Sequence, residues 1–183
     1  MSEELFVRCC APTLAGLKTG SMFSCAYRKK EDLFRDIRSL NRTLSCRGLR
    51  ILPLRYRNGK ALLYVYRPAS LQSDLSRKEV QDLLQDAGYT GLCGDQCVLQ
   101  LIRRMRNSEG FPHEVGLFLS YPPEDVRGFI ENHAQNYKLI GYWKVYGDEK
   151  KARKTFETYR KCTDSYCKFL KQGHSLTELT VAV

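Results

Sequence analysis

Residues Arg50–Arg67, RILPLRYRNGKALLYVYR, contain the clearest local structural signal of the chain. Within this stretch, Asn58-Gly59 separates two strand-like runs, and this dipeptide favours a tight two-residue hairpin turn. Pro53 has no amide hydrogen to donate to a neighbouring strand, so the first strand is expected at the edge of a sheet. The sequence therefore predicts an antiparallel hairpin with strands Arg50–Arg57 and Lys60–Arg67.

Alternation along these strands gives the hairpin an apolar face and a face that is basic and aromatic. The apolar, core face is expected to carry Leu52, Leu54 and Tyr56 together with Ala61, Leu63 and Val65. The opposite face is expected to carry Arg55, Arg57, Lys60, Tyr64 and Tyr66. Cations beside aromatic rings can bind the phosphates and bases of nucleic acid, and they can equally lie beneath a helix. This second face is the candidate surface of a nucleic-acid-binding module.

Outward from the hairpin, strands and helices alternate along the chain. Strands are predicted at Ser21–Tyr27, Glu114–Tyr121 and Tyr142–Tyr146. Helices are predicted from Pro12, over Glu31–Leu44, after a capping box at Ser76 and Glu79, from Asp95, after Pro122-Pro123, and over Glu149–Gln172. The pattern predicts a single α/β (mixed α+β) domain over residues 1–183. Its mixed sheet has about five strands packed by five or six helices, the last of them long, and residues 174–183 form a loose tail.

Composition favours one globular domain, since 43% of the 183 residues are hydrophobic and 27% are charged. No apolar run reaches the roughly 18 residues that cross a bilayer, and Glu3 and Glu4 stand where a secretory signal carries basic residues. We therefore expect a cytoplasmic protein without a membrane partner, whose eight cysteines are reduced thiols. The net charge of +10 permits an anionic partner.

The cysteine spacings do not predict a metal site. Cys93 and Cys97 are separated by three residues and Cys162 and Cys167 by four, whereas zinc sites commonly use two. The chain also has no glycine-rich loop of the kind that cradles nucleotide phosphates. ATP-driven chemistry and a standard dinucleotide site are therefore disfavoured.

Cys10 is the cysteine whose surroundings give a physical reason to expect chemistry. If a helix begins near Pro12, Cys10 lies at its N-terminus, where unpaired amides favour a thiolate. Lys18 would add positive potential if the chain folds back. The functional interpretation makes Cys10 a catalytic or ligand-binding thiol and Lys18 an anion contact. The alternative is a short buried helix in which Cys10 only fills space.

Two further segments carry candidate site residues. His113 and Glu114 precede a predicted strand, with His113 as a catalytic proton carrier and Glu114 as a ligand contact. Alternation over Gly141–Gly147 places Tyr142, Lys144 and Tyr146 on one face, where they could hold a planar or anionic ligand. A structural histidine and a strand face beneath a helix are the competing interpretations.

Several stretches taken together also carry a family likeness. They are Cys10–Lys18, Pro112–Leu119, Tyr121-Pro122 with Gly128–Asn132, Asn136–Lys138 and Gly141–Tyr146. With them the chain resembles an uncharacterised family, a domain of unknown function found mainly in anaerobic, clostridia-like bacteria. The resemblance implies a bacterial cytosol in which reduced thiols and oxygen-sensitive cofactors persist, and it supplies no activity.

Three functional hypotheses follow from the sequence. The leading one is a cytosolic small-ligand-binding or redox-linked accessory protein, with its site between the Cys10–Lys18 segment, His113-Glu114 and Tyr142–Tyr146. Its ligand would be small and either anionic or planar. The second hypothesis is the nucleic-acid-binding module, and the third is a protein-interaction subunit without a small-molecule site. The sequence specifies neither a reaction, nor a cofactor, nor an oligomeric state.

Overall fold

The structure, a computed structural model, describes residues 2–91, 93–107 and 110–182. These residues form eight α-helices and two antiparallel sheets, of three and two strands. In chain order the elements are α1 Glu3–Leu14, β1 Gly20–Ala26, α2 Lys30–Leu44, β2 Arg50–Arg57, β3 Lys60–Tyr66, α3 Pro68–Ser76, α4 Lys78–Asp86, α5 Gly94–Asn107, α6 Val115–Phe118, α7 Pro123–Glu131, β4 Leu139–Ile140, β5 Lys144–Val145 and α8 Glu149–Lys171. The mixed α+β class and the long C-terminal helix are confirmed, whereas the five-stranded sheet and the count of five or six helices are wrong.

The chain divides into two compact units. The first, which we call the sheet unit, comprises Met1–Ser70 and Lys161–Val183. The second, the helical unit, comprises Leu71–Arg160. The single domain expected over residues 1–183 stays a prediction.

The hairpin of the sheet unit forms as the sequence predicts. Asn58 and Gly59 have φ values of 49° and 70°, the left-handed conformation that a tight hairpin turn needs at both central residues. The strand order β1-β3-β2 leaves β2 at an edge, the position in a sheet where a proline is tolerated. One detail of the predicted core face is wrong. A bulge at Leu54 shifts the register, so that Leu52 lies opposite Tyr64 on the other face.

The core of the sheet unit lies between the inner face of the sheet and helices α1 and α2. It contains Ala61, Leu63 and Val65 of β3 and these residues of the two helices: Phe6, Val7, Cys10, Leu14, Leu33, Ile37 and Leu44. Leu176 and Leu179 belong to the same core, and the amide of Val181 donates to the carbonyl of Leu14 over 3.0 Å. The expectation of a loose tail is therefore wrong for these residues, because their apolar side chains are buried in the core.

Arg67 closes this core from the end of β3 and is only 2% exposed. Its guanidinium donates to the carbonyl oxygens of Thr13 at 2.8 Å, Leu14 at 2.7 Å, Val181 at 2.8 Å and Arg47 at 3.2 Å. The last carbonyls of a helix have no partner inside the helix. Arg67 therefore satisfies the end of α1 and ties it to the C-terminal segment.

The helical unit departs most from the sequence prediction. The predicted strand Glu114–Tyr121 is instead the single helical turn α6, and the predicted strand Tyr142–Tyr146 shortens to β5, which pairs with β4. A Cβ on Gly116 would lie 2.8 Å from Val126 Cγ2, so this glycine lets α6 pack closely on α7. The capping box is also wrong, because α3 runs through Ser76 and α4 begins at Lys78. Short apolar runs do not distinguish a strand from a buried helical turn.

Candidate functional site

A cavity of about 400 Å³ opens in the helical unit. Most of its wall is apolar, formed by Phe111, Pro112, Val115, Gly116, Val126, Phe129, Ile140, Gly141 and Trp143. The polar lining residues are His113, Tyr121, Asp125 and Lys144. A mostly apolar concavity with a few convergent polar groups is the usual form of a small-ligand site.

Asp125 builds one wall of this cavity by holding other groups in place. It is 3% exposed, and its Oδ2 accepts a hydrogen bond from Trp143 Nε1 at 2.6 Å. Its Oδ1 accepts the backbone amides of Tyr146 and Gly147, both at 2.7 Å. Because both oxygens are engaged, Asp125 fixes the segment after β5 to α7 and orients the indole.

Aromatic packing makes the wall around Trp143 rigid. The indole lies 5.0 Å from the ring of Tyr121 and 4.5 Å, edge to face, from the ring of Phe156. Tyr121 Oη donates to the carbonyl of Tyr142 at 3.0 Å. Each aromatic pair adds about 0.5–1.5 kcal/mol beyond the burial of its area. This side of the cavity is therefore preformed.

Lys144 places a positive charge at the cavity. Its Nζ donates to the carbonyl of Ala134 at 2.8 Å, and it lies 4.7 Å from the ring centre of Tyr137 and 5.9 Å from that of Phe129. An ammonium group has three donors, so the bond to Ala134 leaves two for other acceptors. The side chain is half-buried, which strengthens an interaction with an anion relative to open water.

His113 lies at the same place in the unit. Its exposed ring is centred 5.2 Å from the ring of Phe129, the same ring that Lys144 approaches. The structure thus brings together two of the residues that the sequence singled out, with Phe129 beside both.

Glu114 lies away from this cavity lining. It is 3% exposed, and its Oε1 is 2.6 Å from Arg104 Nε and accepts the hydroxyl of Tyr89 at 3.1 Å. Burial, followed by the charge of Glu114, raises the pKa of Tyr89. This carboxylate joins α5 to α6 and supports the fold.

The loop between α7 and β4, to which Lys144 is bonded, contains strained backbone. His133, Ala134 and Asn136 have φ values of 47°, 63° and 58°, although none of them is glycine. Each such residue costs of order 1 kcal/mol or more, and such strain is concentrated at binding and catalytic sites. The Lys144 bond to Ala134 holds this conformation against the strand that carries the cavity wall.

Tyr142 and Tyr146 lie outside the short strand that carries Lys144. Of the predicted strand Tyr142–Tyr146, only Lys144 and Val145 are in strand conformation. The alternation of side chains that was expected over all five residues therefore does not apply to the two tyrosines. Tyr142 packs on Phe156 and Tyr159, at 5.6 and 5.3 Å between ring centres. Tyr146 packs on Gly128, where a Cβ would come within 2.5 Å of its ring. Neither tyrosine lines the cavity.

Cys10 and Lys18 belong to the sheet unit, and the reason for expecting a thiolate at Cys10 is wrong. Helix α1 begins at Glu3, with Ser2 as its N-cap, so Cys10 is in the helix interior rather than at an N-terminus. Cys10 is fully buried, and this burial raises the pKa of its thiol well above the usual range. Lys18 is 8% exposed, and burial lowers the pKa of its ammonium to about 8.

The tyrosines of the predicted nucleic-acid face are inaccessible. Tyr64 and Tyr66 are 0% and 1% exposed, and their rings stack on each other 4.6 Å apart with 2° between their planes. The competing interpretation, in which these rings are covered, describes them correctly. Arg57 and Lys60 remain exposed, and Arg55 is half-buried.

All eight cysteines carry free thiols. Within residues 2–91, 93–107 and 110–182, no three His, Cys, Asp or Glu side chains lie close enough to hold a metal ion. No helix in the described part of the chain combines the length and the apolarity that crossing a bilayer requires.

Fold and site together define a mixed α+β protein whose helical unit contains a mostly apolar cavity flanked by a lysine and a histidine. Residues 6–180 match the family described as "Protein of unknown function (DUF3793)", and the chain belongs to this family. Neither the curated proteins nor the solved structures compared with the chain include a significant match. Membership confirms the resemblance to an uncharacterised family, while an origin in anaerobic bacteria stays a prediction.

Proposed function

We propose that this protein binds a small ligand with a planar or apolar body and an anionic group, in the cavity of the helical unit. The observation that carries the proposal is that Lys144 and His113 both lie beside the Phe129 ring, at a cavity whose remaining wall is mostly apolar. The proposal keeps the ligand class expected from the sequence and moves its site away from Cys10.

The apolar body is supported by the side chains at the cavity. Phe111 is 44% exposed and Ile140 is 60% exposed, and both belong to the lining. Large apolar side chains that are exposed together mark a binding groove more often than isolated ones do. A ligand that covers them gains about 25 cal/mol for each Å² of apolar surface removed from water.

The anionic group is supported by the charges at the lining. Among the described residues, Lys144 has no carboxylate within salt-bridge distance, and the one acidic lining residue, Asp125, uses both its oxygens for internal bonds. A positive charge without a protein counterion in a half-buried position favours an anion from outside. The lining includes no cysteine, so the proposal is limited to binding and leaves the redox-linked role aside.

The single tryptophan of the chain provides the test, since Trp143 lines the cavity. The probes are 8-anilinonaphthalene-1-sulfonate and its uncharged analogue N-phenyl-1-naphthylamine, which have the same aromatic body. We expect both probes to quench Trp143 and the sulfonate to bind about tenfold more tightly, as one charge-assisted hydrogen bond of about 1.5 kcal/mol implies.

Lys144→Met and Lys138→Met form a matched pair of variants. Each lysine donates one hydrogen bond to a backbone carbonyl, Lys144 to Ala134 and Lys138 to Gly147, but only Lys144 lines the cavity. Lys144→Met should remove the preference for the sulfonate and leave the uncharged probe unaffected, while Lys138→Met should change neither. Equal binding of the two probes by the unsubstituted protein, or equal losses in both variants, would overturn the proposal.

A further inference from the structure

The positive charge of the chain is concentrated in one part of the sheet unit. Residues 28–60 contain eleven Lys or Arg and three Asp or Glu, and so carry most of the net charge of +10. Eight of these basic side chains are exposed at the start of α2, along α2 and at the hairpin turn: Arg28, Lys29, Lys30, Arg35, Arg38, Arg42, Arg57 and Lys60. We call these eight residues the basic surface.

The hairpin turn gathers the first members of the basic surface. The amide of Tyr27 donates to the carbonyl of Gly59 at 3.1 Å, which places the following Arg28–Lys30 segment beside the turn between β2 and β3. Lys60 follows this turn directly, and Arg57 is its cross-strand partner. Five basic residues thus lie around one two-residue turn, with no acidic residue in either segment.

Helix α2 continues the basic surface away from the turn. Arg35, Arg38 and Arg42 follow one another at intervals of three and four residues and therefore lie on one side of the helix. Together with Phe34, Glu31 and Ser39 they line a shallow groove. The side-chain amide of Asn41 holds the helix to the edge strand, since it donates to the carbonyl of Ile51 at 2.9 Å and accepts its amide at 2.8 Å.

An aromatic ring is exposed within the same groove. Phe34 is 40% exposed, and its ring lies 6.0 Å from that of Tyr56, over which Lys30 Nζ is placed at 5.2 Å. The groove therefore combines arginines at the spacing of a helix face with an accessible aromatic ring.

We propose that the basic surface binds single-stranded nucleic acid, with its lysines and arginines on the phosphates and Phe34 beneath a base. This function goes beyond the proposed ligand binding and uses the other unit of the chain. Charge complementarity favours a polyanion, and an exposed aromatic ring among cations favours unpaired bases, because a duplex keeps the faces of its bases stacked. The basic surface takes the place of the hairpin face of Tyr64 and Tyr66 as the candidate nucleic-acid site, because no base can reach those two buried rings.

The test uses the full chain and a dye-labelled oligothymidylate of about 20 nucleotides, which covers the site sizes usual for single-strand binding. Fluorescence anisotropy is measured between about 50 and 200 mM NaCl, where contact with about four phosphates should give a slope of log K against log[salt] near −3. Binding without salt dependence would contradict the phosphate contacts. A duplex of the same length, and vesicles of anionic lipid, are compared at the lowest salt.

Charge-reversing variants locate the site. Lys29→Glu with Lys60→Glu should weaken oligothymidylate binding at least tenfold, because two phosphate contacts become repulsive. Lys154→Glu with Lys168→Glu makes the same change in net charge at exposed positions of α8 and should leave binding within about twofold. Melting curves verify folding, and Lys29→Gln with Lys60→Gln replaces the first pair if that pair is unstable.

Phe34→Ala separates base stacking from charge. It should weaken single-strand binding about tenfold and leave the salt slope unchanged, since stacking contributes no counterion release. The proposal is overturned if both charge-reversed pairs lose binding equally, if the duplex binds as tightly as the single strand, or if only the lipid vesicles bind.

Discussion

The two units of the chain hold their interiors together in different ways. In the sheet unit, β3 pairs with β1 and with β2 along seven positions each, and the backbone satisfies most of its own hydrogen bonds. In the helical unit the strands have two residues each, and buried carboxylates of Asp125 and Glu114 bond the irregular segments instead. The cavity lined by Trp143 and Lys144 thus lies in the helical unit, where side-chain carboxylates rather than long strands fix the irregular backbone.

In each unit a buried charge is satisfied by backbone groups, and the two charges have opposite signs. Arg67 donates to four carbonyls in the sheet unit. Asp125 accepts two backbone amides and the indole of Trp143 in the helical unit. A buried charge is tolerated when such groups replace its hydration. Arg67 therefore closes a core, whereas Asp125 shapes the wall of a site.

Arg67→Met should have the largest effect on stability. It takes a charge-assisted donor away from four carbonyl oxygens, and those of Thr13 and Leu14 keep only one backbone donor each. We expect it to lower the free energy of unfolding by about 3–5 kcal/mol. Urea denaturation followed by circular dichroism measures the loss. Arg8→Met on α1 is the control, since it removes only an exposed ion pair with Glu4 and should cost less than about 0.5 kcal/mol. Similar losses in both variants would show that Arg67 does not close the core.

Asp125→Ala should destabilise the chain less and should also alter the site. It leaves the indole and two backbone amides without their acceptor, which we expect to cost about 2–4 kcal/mol. Because Trp143 loses its anchor, its emission should shift to longer wavelength and quenching by the naphthalene probes should weaken. Glu131→Ala, at an exposed position of the same helix, should leave both signals unchanged. Loss of stability with normal probe binding would mean that Asp125 does not shape the cavity wall.

The sequence predicts structure well where local signals act alone. Asn58-Gly59 specifies the hairpin because its two residues accept positive φ, and the apolar period of α2 identifies that helix. It failed at Glu114–Tyr121, where a short apolar run fits a strand as well as a buried turn and only packing of Gly116 on α7 decides between them. The sequence also does not identify Arg67 as a core residue, because no local pattern marks a basic side chain as buried.

The candidate site was predictable only in part. His113 and Lys144 were identified as polar residues in suitable segments, and the structure brings both to one cavity. Phe111, Phe129 and Ile140 come from three separate segments that only the tertiary fold brings to one cavity. Asp125 itself looks in the sequence like an ordinary acidic residue in the first turn of a helix.

Lys18 makes the stability of the sheet unit depend on pH. Its folded pKa of about 8 lies below the usual 10.5, so between these values the unfolded chain holds a proton that the folded chain does not. Stability contributed by this residue therefore rises with pH across that window and is at its lowest below pH 8. The full change amounts to about 3 kcal/mol.

Comparison of Lys18→Met with the unsubstituted chain isolates this effect, because cysteines and tyrosines titrate in both. The quantity to compare is the free energy of unfolding of Lys18→Met minus that of the unsubstituted chain. This difference should fall by about 2–3 kcal/mol from pH 7 to pH 10.5. Lys29→Met, at an exposed position, should give a difference that does not change with pH. A constant difference for Lys18→Met as well would show that its ammonium is not held in a desolvated site.

Cysteine alkylation compares the two units without altering stability. Each unit has an exposed thiol, Cys46 or Cys93, and a buried thiol suitable for comparison, Cys10 or Cys97. Burial raises the pKa of Cys10 and of Cys97. We expect iodoacetamide to modify the exposed pair at least about tenfold faster, as followed by mass spectrometry of peptides.

The order in which Cys10 and Cys97 react is the sharper result, because each of these buried thiols reacts only when its unit opens. The core around Cys10 is closed by a three-stranded sheet and by Arg67, whereas Cys97 belongs to the unit with two-residue strands and a cavity, so Cys97 should react first. Arg67→Met should then accelerate Cys10 and leave Cys97 unchanged if the units open independently. Reaction of Cys10 at the rate of Cys46 would restore the reactive thiol that its sequence position suggested, and would contradict the closed core.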